Sequence, residues 1–130
     1  LVSLVLLPSA GAAVTYKVDP DHTTVAFKVR HLFTHVQGRF DKFEGTIEFD
    51  PDKPEATRVQ GSIDAATVNT NVAERDKHLR SEDFFDVAKF PRITFTSTGA
   101  AQIDASRKSG KLEGKLTIHG VEKPVVLDVT

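Results

Sequence analysis

Apolar residues recur at every second position in eight segments of the chain, and this alternation constrains the fold more than any other feature. Successive side chains of a β-strand point to opposite faces of a sheet, so the pattern indicates strands with one apolar face each. The apolar positions of the eight segments are Tyr16 and Val18; Val25, Phe27 and Val29; Val36, Gly38 and Phe40; Phe43, Gly45, Ile47 and Phe49; Val59, Gly61, Ile63 and Ala65; Ile93 and Phe95; Leu112, Gly114, Leu116 and Ile118; Val125, Leu127 and Val129. The pattern predicts an all-β protein in which a single curved antiparallel sheet closes towards a barrel.

The same alternation predicts which side chains share the interior of the barrel. The expected inward set is Phe27, Val29, Phe40, Ile47, Phe49, Ile63, Phe95, Leu116 and Ile118. The expected outward set is Lys28, Glu48, Gln60, Thr94 and Lys115. A slip of one residue would turn a whole strand over, so the two sets are not expected to mix within a strand. No charged residue interrupts the inward set within these segments.

Four glycines, at positions 38, 45, 61 and 114, lie on the apolar face of their strands. Glycine inside a strand marks a bend or a place where another group approaches the backbone closely. A sheet that closes around a cavity uses glycine in this way, and so does the corner of an ordinary filled barrel. The glycines alone leave both interpretations open.

One segment departs from the alternation. Asn71-Val72-Ala73-Glu74 resembles a capping box and predicts a short helix through Arg80, within the range 71–81. This helix is either a solvated surface helix with paired charges or a lid over one end of the barrel. One ring of the adjacent pair Phe84 and Phe85 is expected to enter the core or pore mouth, and the other to pack under the helix against Leu79.

The first thirteen residues differ from the rest. Leu1–Leu7 is an apolar run, and Pro8 and five small residues follow it. This order is typical of the second half of a secretory signal peptide, and the absence of Met indicates that the natural start lies upstream. Seven apolar residues fall well short of the roughly 20 needed to span a bilayer. We therefore expect a partial signal peptide at residues 1–13, an exported protein, and one folded domain at residues 14–130.

The composition argues against several classes of function. The 130 residues carry 17 Lys and Arg against 18 Asp and Glu, and a near-neutral chain without a basic block is not expected to bind nucleic acid. The chain has no Cys, which excludes a thiol nucleophile and every cysteine-ligated metal site. His31 and His35 are four residues apart, but the other histidines are scattered through different elements. We expect no metal site, no cofactor and no catalytic centre, because no nucleophile or phosphate-binding motif is present.

Several motifs together resemble one known family. They are Tyr16-Lys17-Val18-Asp19-Pro20-Asp21-His22, Gly38-Arg39-Phe40 with Phe43-Glu44-Gly45, the segment 71–86 followed by Phe90-Pro91 and Ile93-Thr94-Phe95, and the segment 112–125 with its His119-Gly120-Val121 motif. In this order they resemble the YceI-like polyisoprenoid-binding family over residues 16–130.

The resemblance implies a periplasmic, lipocalin-like antiparallel β-barrel with one short helix. It also implies binding without catalysis, with a polyisoprenoid, quinone or fatty-acid-type lipid in the pore and transient contact with a membrane. The expected pore-lining residues are Phe27, Val29, Phe40, Ile47, Phe49, Ile63, Phe84, Phe85, Phe95, Leu116 and Ile118. The expected lid or rim residues are Arg75, His78, Leu79 and Arg80, with both arginines hydrogen-bonded to the rim rather than in contact with the lipid tail. Family members continue into further strands, so this chain is expected to be truncated at its C-terminus.

Three alternatives stay open. The first is a barrel filled by its own phenylalanines, which leaves no room for a ligand. The second is an enzyme that acts on an isoprenoid or quinone-like substrate in the same pore. The third is a stress-related structural barrel whose surface, rather than its pore, carries the function.

Overall fold

The structure is a computed structural model that describes residues 13–104 and 108–130, with the side chains of residues 100–103 left out. Apart from Ala13, the signal-peptide segment expected at residues 1–13 lies outside the described residues. Within the described ranges, no α-helix has both the length and the apolar character needed to cross a bilayer.

Nine strands and one α-helix make up the described chain. The strands are β1 (Val14–Lys17), β2 (Val25–His31), β3 (Thr34–Phe40), β4 (Phe43–Phe49), β5 (Arg58–Asp64), β6 (Val68–Asn69), β7 (Arg92–Asp104), β8 (Ser109–Ile118) and β9 (Val121–Val129). The helix α1 spans Ala73–Arg80, and two short 3-10 turns span Pro54–Ala56 and Ala65–Thr67. The predicted all-β class, with one short helix, is confirmed.

The strands form two antiparallel sheets. The six-stranded sheet has the order β1-β4-β5-β7-β8-β9, and the three-stranded sheet has the order β2-β3-β6. The prediction of a single sheet that closes towards a barrel is therefore wrong for the described residues, in which no strand pairing joins the two sheets. The chain changes sheet at Asp41 and Lys42, because β4 pairs with β1 and β5 rather than with β3.

Strand pairing confirms the predicted faces. Directly paired residues share a face, and Phe43 pairs with Ile63, Ile63 with Ile93, and Phe95 with Leu116. We call this the inner face of the six-stranded sheet. The predicted outward residues Lys28, Glu48, Gln60 and Lys115 are exposed, and Thr94 is half-buried on the outer face.

The hydrophobic core lies where one end of the inner face meets the three-stranded sheet. Its buried residues are Phe40, Ala65, Val68 and Ile93. Partly buried side chains that pack against it are Val25, Phe27, Ile63, Leu79, Phe85, Val87 and Leu116. Three predicted inward residues are on the expected face but are more exposed than this core: Val29 (50%), Ile47 (37%) and Ile118 (36%).

A charged residue lies on the inner face just before the last predicted segment, outside the segments in which none was expected. β9 begins at Val121 rather than Val125, and Lys123 pairs directly with Leu116. The apolar alternation did not predict the first part of β9, because Lys123 and Pro124 interrupt it. Proline is accepted in edge strands such as β9.

The helix begins without the predicted capping box. Val72 is the N-cap residue and forms no side-chain cap, and Asn71 has a positive φ of 62°. The amide N–H of Thr70 donates instead to the Asp76 carboxylate, at 2.8 Å. A contact between helix and preceding strand thus replaces the local cap.

Candidate functional site

Two of the four apolar-face glycines oppose each other on the inner face of the six-stranded sheet. Gly45 on β4 pairs directly with Gly61 on β5. A Cβ atom at Gly61 would have no heavy-atom neighbour closer than the Glu44 carbonyl oxygen at 3.8 Å, so no side chain fills this space. We call this open space on the inner face, beside Gly61, the glycine depression. A separate cavity of about 500 Å³ lies on the opposite, outer face of the same strands, because seven of its lining residues alternate with the inner-face positions. Its lining residues are Lys17, Val18, Glu44, Gly45, Thr46, Gln60, Gly61, Ser62, Thr94, Phe95 and Thr96.

The other two glycines are filled by neighbouring rings. A Cβ atom at Gly38 would lie 2.7 Å from Cε1 of Phe27, and one at Gly114 would lie 2.5 Å from Cε2 of Phe95. These two glycines therefore accommodate core packing. A Cβ atom at Gly45 would lie 3.0 Å from Cγ2 of Val18, so among the four glycines only Gly61 leaves space that a ligand can use.

A second cavity lies further along β4 and β5. This end groove has a volume of about 560 Å³. Its lining residues are Ile47, Phe49, Pro51, Pro54, Thr57, Val59, Asp104, Lys108, Ser109, Gly110, Lys111, Leu112, Val129 and Thr130. The apolar side chains among them include Ile47, Val59 and Leu112, which are on the inner face.

The glycine depression and the end groove are consecutive along the inner face of the same strands. Ile47 pairs with Val59, one step along the inner face from the Gly45–Gly61 pair. From Gly45 to Phe49 a strand rises about 13 Å. The arrangement can accept an extended apolar chain along β4 and β5, from Phe95 towards Pro51.

The structure distributes the predicted pore-lining residues over three environments. Ile47 and Phe49 line the end groove, and Phe95 borders the glycine depression because it pairs with Gly61. Phe27, Phe40, Ile63, Phe85 and Leu116 belong to the core or pack against it. Val29, Phe84 and Ile118 are exposed.

Some lining residues were missed from the sequence. Pro51 and Pro54 lie between strands, where alternation carries no signal. Alternating runs recognised in the sequence also contain Val59, Leu112 and Val129. A search for side chains next to inner-face glycines would have selected at least Val59.

The adjacent phenylalanines diverge. Phe85 packs edge-on against the core residue Phe40, with ring centroids 5.7 Å apart, as expected for the ring that enters the core. Phe84 is half-exposed and lies edge-on to the His78 ring at 4.9 Å. The expectation that this second ring packs under the helix against Leu79 is wrong, because Leu79 itself packs against the core.

A compact polar cluster joins α1 to the end of β6. The Thr70 hydroxyl donates to Asp76 Oδ1 at 2.5 Å, and the Thr70 hydroxyl and carbonyl oxygens accept from Arg75, each at 2.8 Å. The predicted hydrogen-bonded role of Arg75 is confirmed. Arg80 differs, because its contact is made by the backbone: its carbonyl accepts from the Val87 N–H at 3.2 Å.

The 71–86 segment is also fixed to the turn between β8 and β9. Nδ1 of His119 donates to the Phe84 carbonyl, and the His119 ring lies 4.9 Å from that of Phe90. On the other side of Phe84, Nε2 of His78 is 3.0 Å from the Asp83 carboxylate. None of the predicted lid residues (Arg75, His78, Leu79 and Arg80) lines either cavity. In residues 13–104 and 108–130, no group of three His, Asp or Glu side chains is arranged to hold a metal ion.

Comparison with known proteins identifies relatives across most of the chain. The YceI-like domain family matches residues 16–130. Protein YceI of Salmonella arizonae is 42% identical over 134 residues, covering 98% of this chain and 67% of that protein. The chain thus spans about two thirds of the length of the curated relatives it matches.

Solved structures show the same architecture. BcnA of Burkholderia cenocepacia gives a TM-score of 0.81 at 29% identity, over 87% of this chain and 70% of that chain. The YceI protein of Campylobacter jejuni gives 0.68 at 42% identity, over 87% and 66%. A polyisoprenoid binding domain from Saccharophagus degradans, at 19% identity, TM-score 0.53 and coverage of 91% and 63%, shares the fold. The family match over residues 16–130 and relatives at 42% identity show that the chain belongs to the YceI-like family.

Proposed function

We propose that this protein binds a long apolar chain, of the isoprenoid, quinone or fatty-acyl type, along the inner face of the six-stranded sheet. The observation that carries the proposal is the unfilled glycine depression beside Gly61, which lies next to the apolar end groove on the inner face. The isoprenoid class is supported by the resemblance to polyisoprenoid-binding members of the family. The protein acts in this proposal as a carrier or sequestering protein.

Burial of the chain supplies enough free energy for useful affinity. About a dozen methylenes at ~0.8 kcal/mol each give roughly 10 kcal/mol. Subtraction of an association cost of at least ~4 kcal/mol leaves about 6 kcal/mol, or a dissociation constant in the tens of micromolar. No chemical step is needed, so the proposed role is binding rather than catalysis.

The proposal includes export to the periplasm, which rests on the signal-like composition of residues 1–13. A ligand this apolar is loaded and released through transient contact with a membrane. Fractionation of the native host tests the location: the proposal expects the protein in the periplasmic fraction, and recovery with a cytoplasmic marker contradicts it.

Mass spectrometry of an organic extract tests the binding function. Full-length protein is purified from its native host or a bacterial host and extracted, and the last wash of the column serves as the blank. We expect an isoprenoid, quinone or long acyl chain in the protein extract and not in the blank. Repeated extraction of folded, homogeneous protein without any lipid would contradict a carrier role.

A further inference from the structure

A lysine extends the row of inner-face residues that contains the glycine depression. Pairing across the sheet aligns Gly45 with Gly61, Gly61 with Phe95, Phe95 with Leu116, and Leu116 with Lys123. Strands are spaced by about 4.8 Å, so Lys123 lies roughly 14 Å from Gly61 along this row. The depression and the lysine are therefore parts of one continuous surface.

Lys123 differs from the lysines of the neighbouring strand in its pairing. On the outer face, Lys111 forms an ion pair with Asp128 at 2.6 Å, and Lys115 forms one with Glu122 at 3.2 Å. Both acidic residues of β9 thus pair away from the inner face. Within the described ranges, no carboxylate forms an ion pair with Lys123.

The surroundings of Lys123 on the inner face are apolar. Its direct partner is Leu116, and the next inner-face residues of β9 are Val121 and Val125. A lysine keeps its aliphatic stem against such a surface and presents its ammonium at the edge. The ammonium has three donors and no acceptor, so the group that complements it is an anion.

We propose that Lys123 binds the anionic head group, a carboxylate or a phosphate, of an amphiphile whose tail enters the glycine depression. This inference rests on the proposed function and adds the chemistry of the head group to it. The apolar row between Lys123 and Gly61 accommodates the first part of the tail, and the end groove accommodates its remainder. On this path the tail crosses the strands from Lys123 to Gly61, and from Gly61 it runs along the strands towards the end groove.

Binding titrations on delipidated full-length protein test the inference. The probes are palmitate and hexadecanol, which differ only in head group, and a polyprenyl monophosphate with its parent polyprenol. The variants are Lys123→Gln, Lys123→Arg, and Lys115→Gln as the matched outer-face control, because Lys115 lines neither cavity. We expect Lys123→Gln to weaken binding of an anionic probe about tenfold or more, since a hydrogen bond to a charged group is lost. Binding of the neutral partner should be unchanged, and Lys123→Arg and Lys115→Gln should retain wild-type affinity for the anion.

The outcomes distinguish failure of the head-group inference from failure of the proposed lipid-binding function. Loss confined to palmitate assigns a carboxylate, loss confined to the polyprenyl phosphate assigns a phosphate, and either supports the inference. Equal loss for charged and neutral probes, or no loss for either anion, overturns it and leaves the proposed function intact. Failure of the wild-type protein to bind any of the four probes overturns the proposed function and the inference together.

Discussion

The phenyl ring of Phe95 occupies the space above Gly114, where a Cβ atom would lie 2.5 Å from its Cε2 atom. On the opposite side of Phe95, its paired residue Gly61 faces an unfilled space. Two glycines on one face of one sheet thus have opposite roles. One accommodates a ring of the protein, and the other leaves room for a ligand.

Substitution of these glycines by alanine should distinguish the two roles. Gly114→Ala forces Cβ against the Phe95 ring and the Thr96 carbonyl oxygen, and overpacking of this kind costs about 1–3 kcal/mol. Gly61→Ala meets open space, and alanine is favoured over glycine in a strand by about 0.5–1 kcal/mol. Urea unfolding of both variants measures the difference. Equal free energies of unfolding would show that Phe95 does not fill the space at Gly114.

The Thr70–Asp76 contact should stabilise the docking of α1. Asp76→Ala removes the acceptor of a buried backbone N–H and a buried hydroxyl, and an unsatisfied buried donor costs about 1–3 kcal/mol. The matched control is Glu74→Ala, an exposed acidic residue in the same helix, with an expected effect within about 0.5 kcal/mol. Hydrogen exchange of the amides of α1 measures the local effect. Unchanged protection in Asp76→Ala would contradict a docking role for the cluster.

The adjacent phenylalanines should differ in their contribution to stability. Phe85 contacts the core, and Phe→Ala in a core costs about 3–5 kcal/mol, so a partly buried ring belongs at or below the lower end. Phe84 is half-exposed and its loss should cost less than about 1 kcal/mol. Thermal unfolding of Phe85→Ala and Phe84→Ala measures both. A larger loss for Phe84→Ala would reverse the assignment of the two rings.

Asp41 should contribute a pH-dependent part of stability. The hydrogen bond from the Asn69 side chain, and then that from Arg39, lower the pKa of this carboxyl below its ordinary value of 3.8. Because the folded-state pKa is the lower one, the stabilisation is present above about pH 4 and is lost as pH falls through the folded pKa. The group is exposed, so the effect is small and salt-sensitive.

Urea midpoints at neutral and acid pH measure this contribution. Asp41→Asn should lose less stability on acidification than the wild-type protein, and Asn69→Ala, which removes the main cause of the shift, should change in the same direction. An unchanged acid dependence in both variants would show that these hydrogen bonds do not persist in solution.

Local patterns predicted the faces of the strands but not their partners. Alternation assigned Phe40 and Phe43 to apolar faces, yet they lie on different sheets, because the choice of partner depends on contacts distant in sequence. The glycines were recognised as special, but filled and unfilled glycines look the same in a sequence. What separates Gly114 from Gly61 is the position of a neighbouring ring in space.

The charged inner-face residue was missed for a different reason. Lys123 and Pro124 interrupt the apolar pattern at the start of β9, and an edge strand tolerates both. The capping box failed because the Asn71 N–H, which Glu74 would have to accept, donates instead to the Asn69 side chain at 3.0 Å. The positive φ of Asn71 also differs from the extended backbone of an N-cap residue.

The central claim is that the unfilled space beside Gly61 holds the ligand, and lipid retention by a filled variant tests it most directly. Gly61→Leu places a side chain in the glycine depression, whereas Gly99→Leu places the same side chain on the outer face, where no atom lies within 4 Å of its Cβ. Lipid extracted per mole of full-length protein is measured by mass spectrometry for both variants and the wild type. The account predicts that Gly61→Leu folds but loses most of the lipid, while Gly99→Leu retains the wild-type amount. Full retention of lipid by a folded Gly61→Leu protein would contradict it.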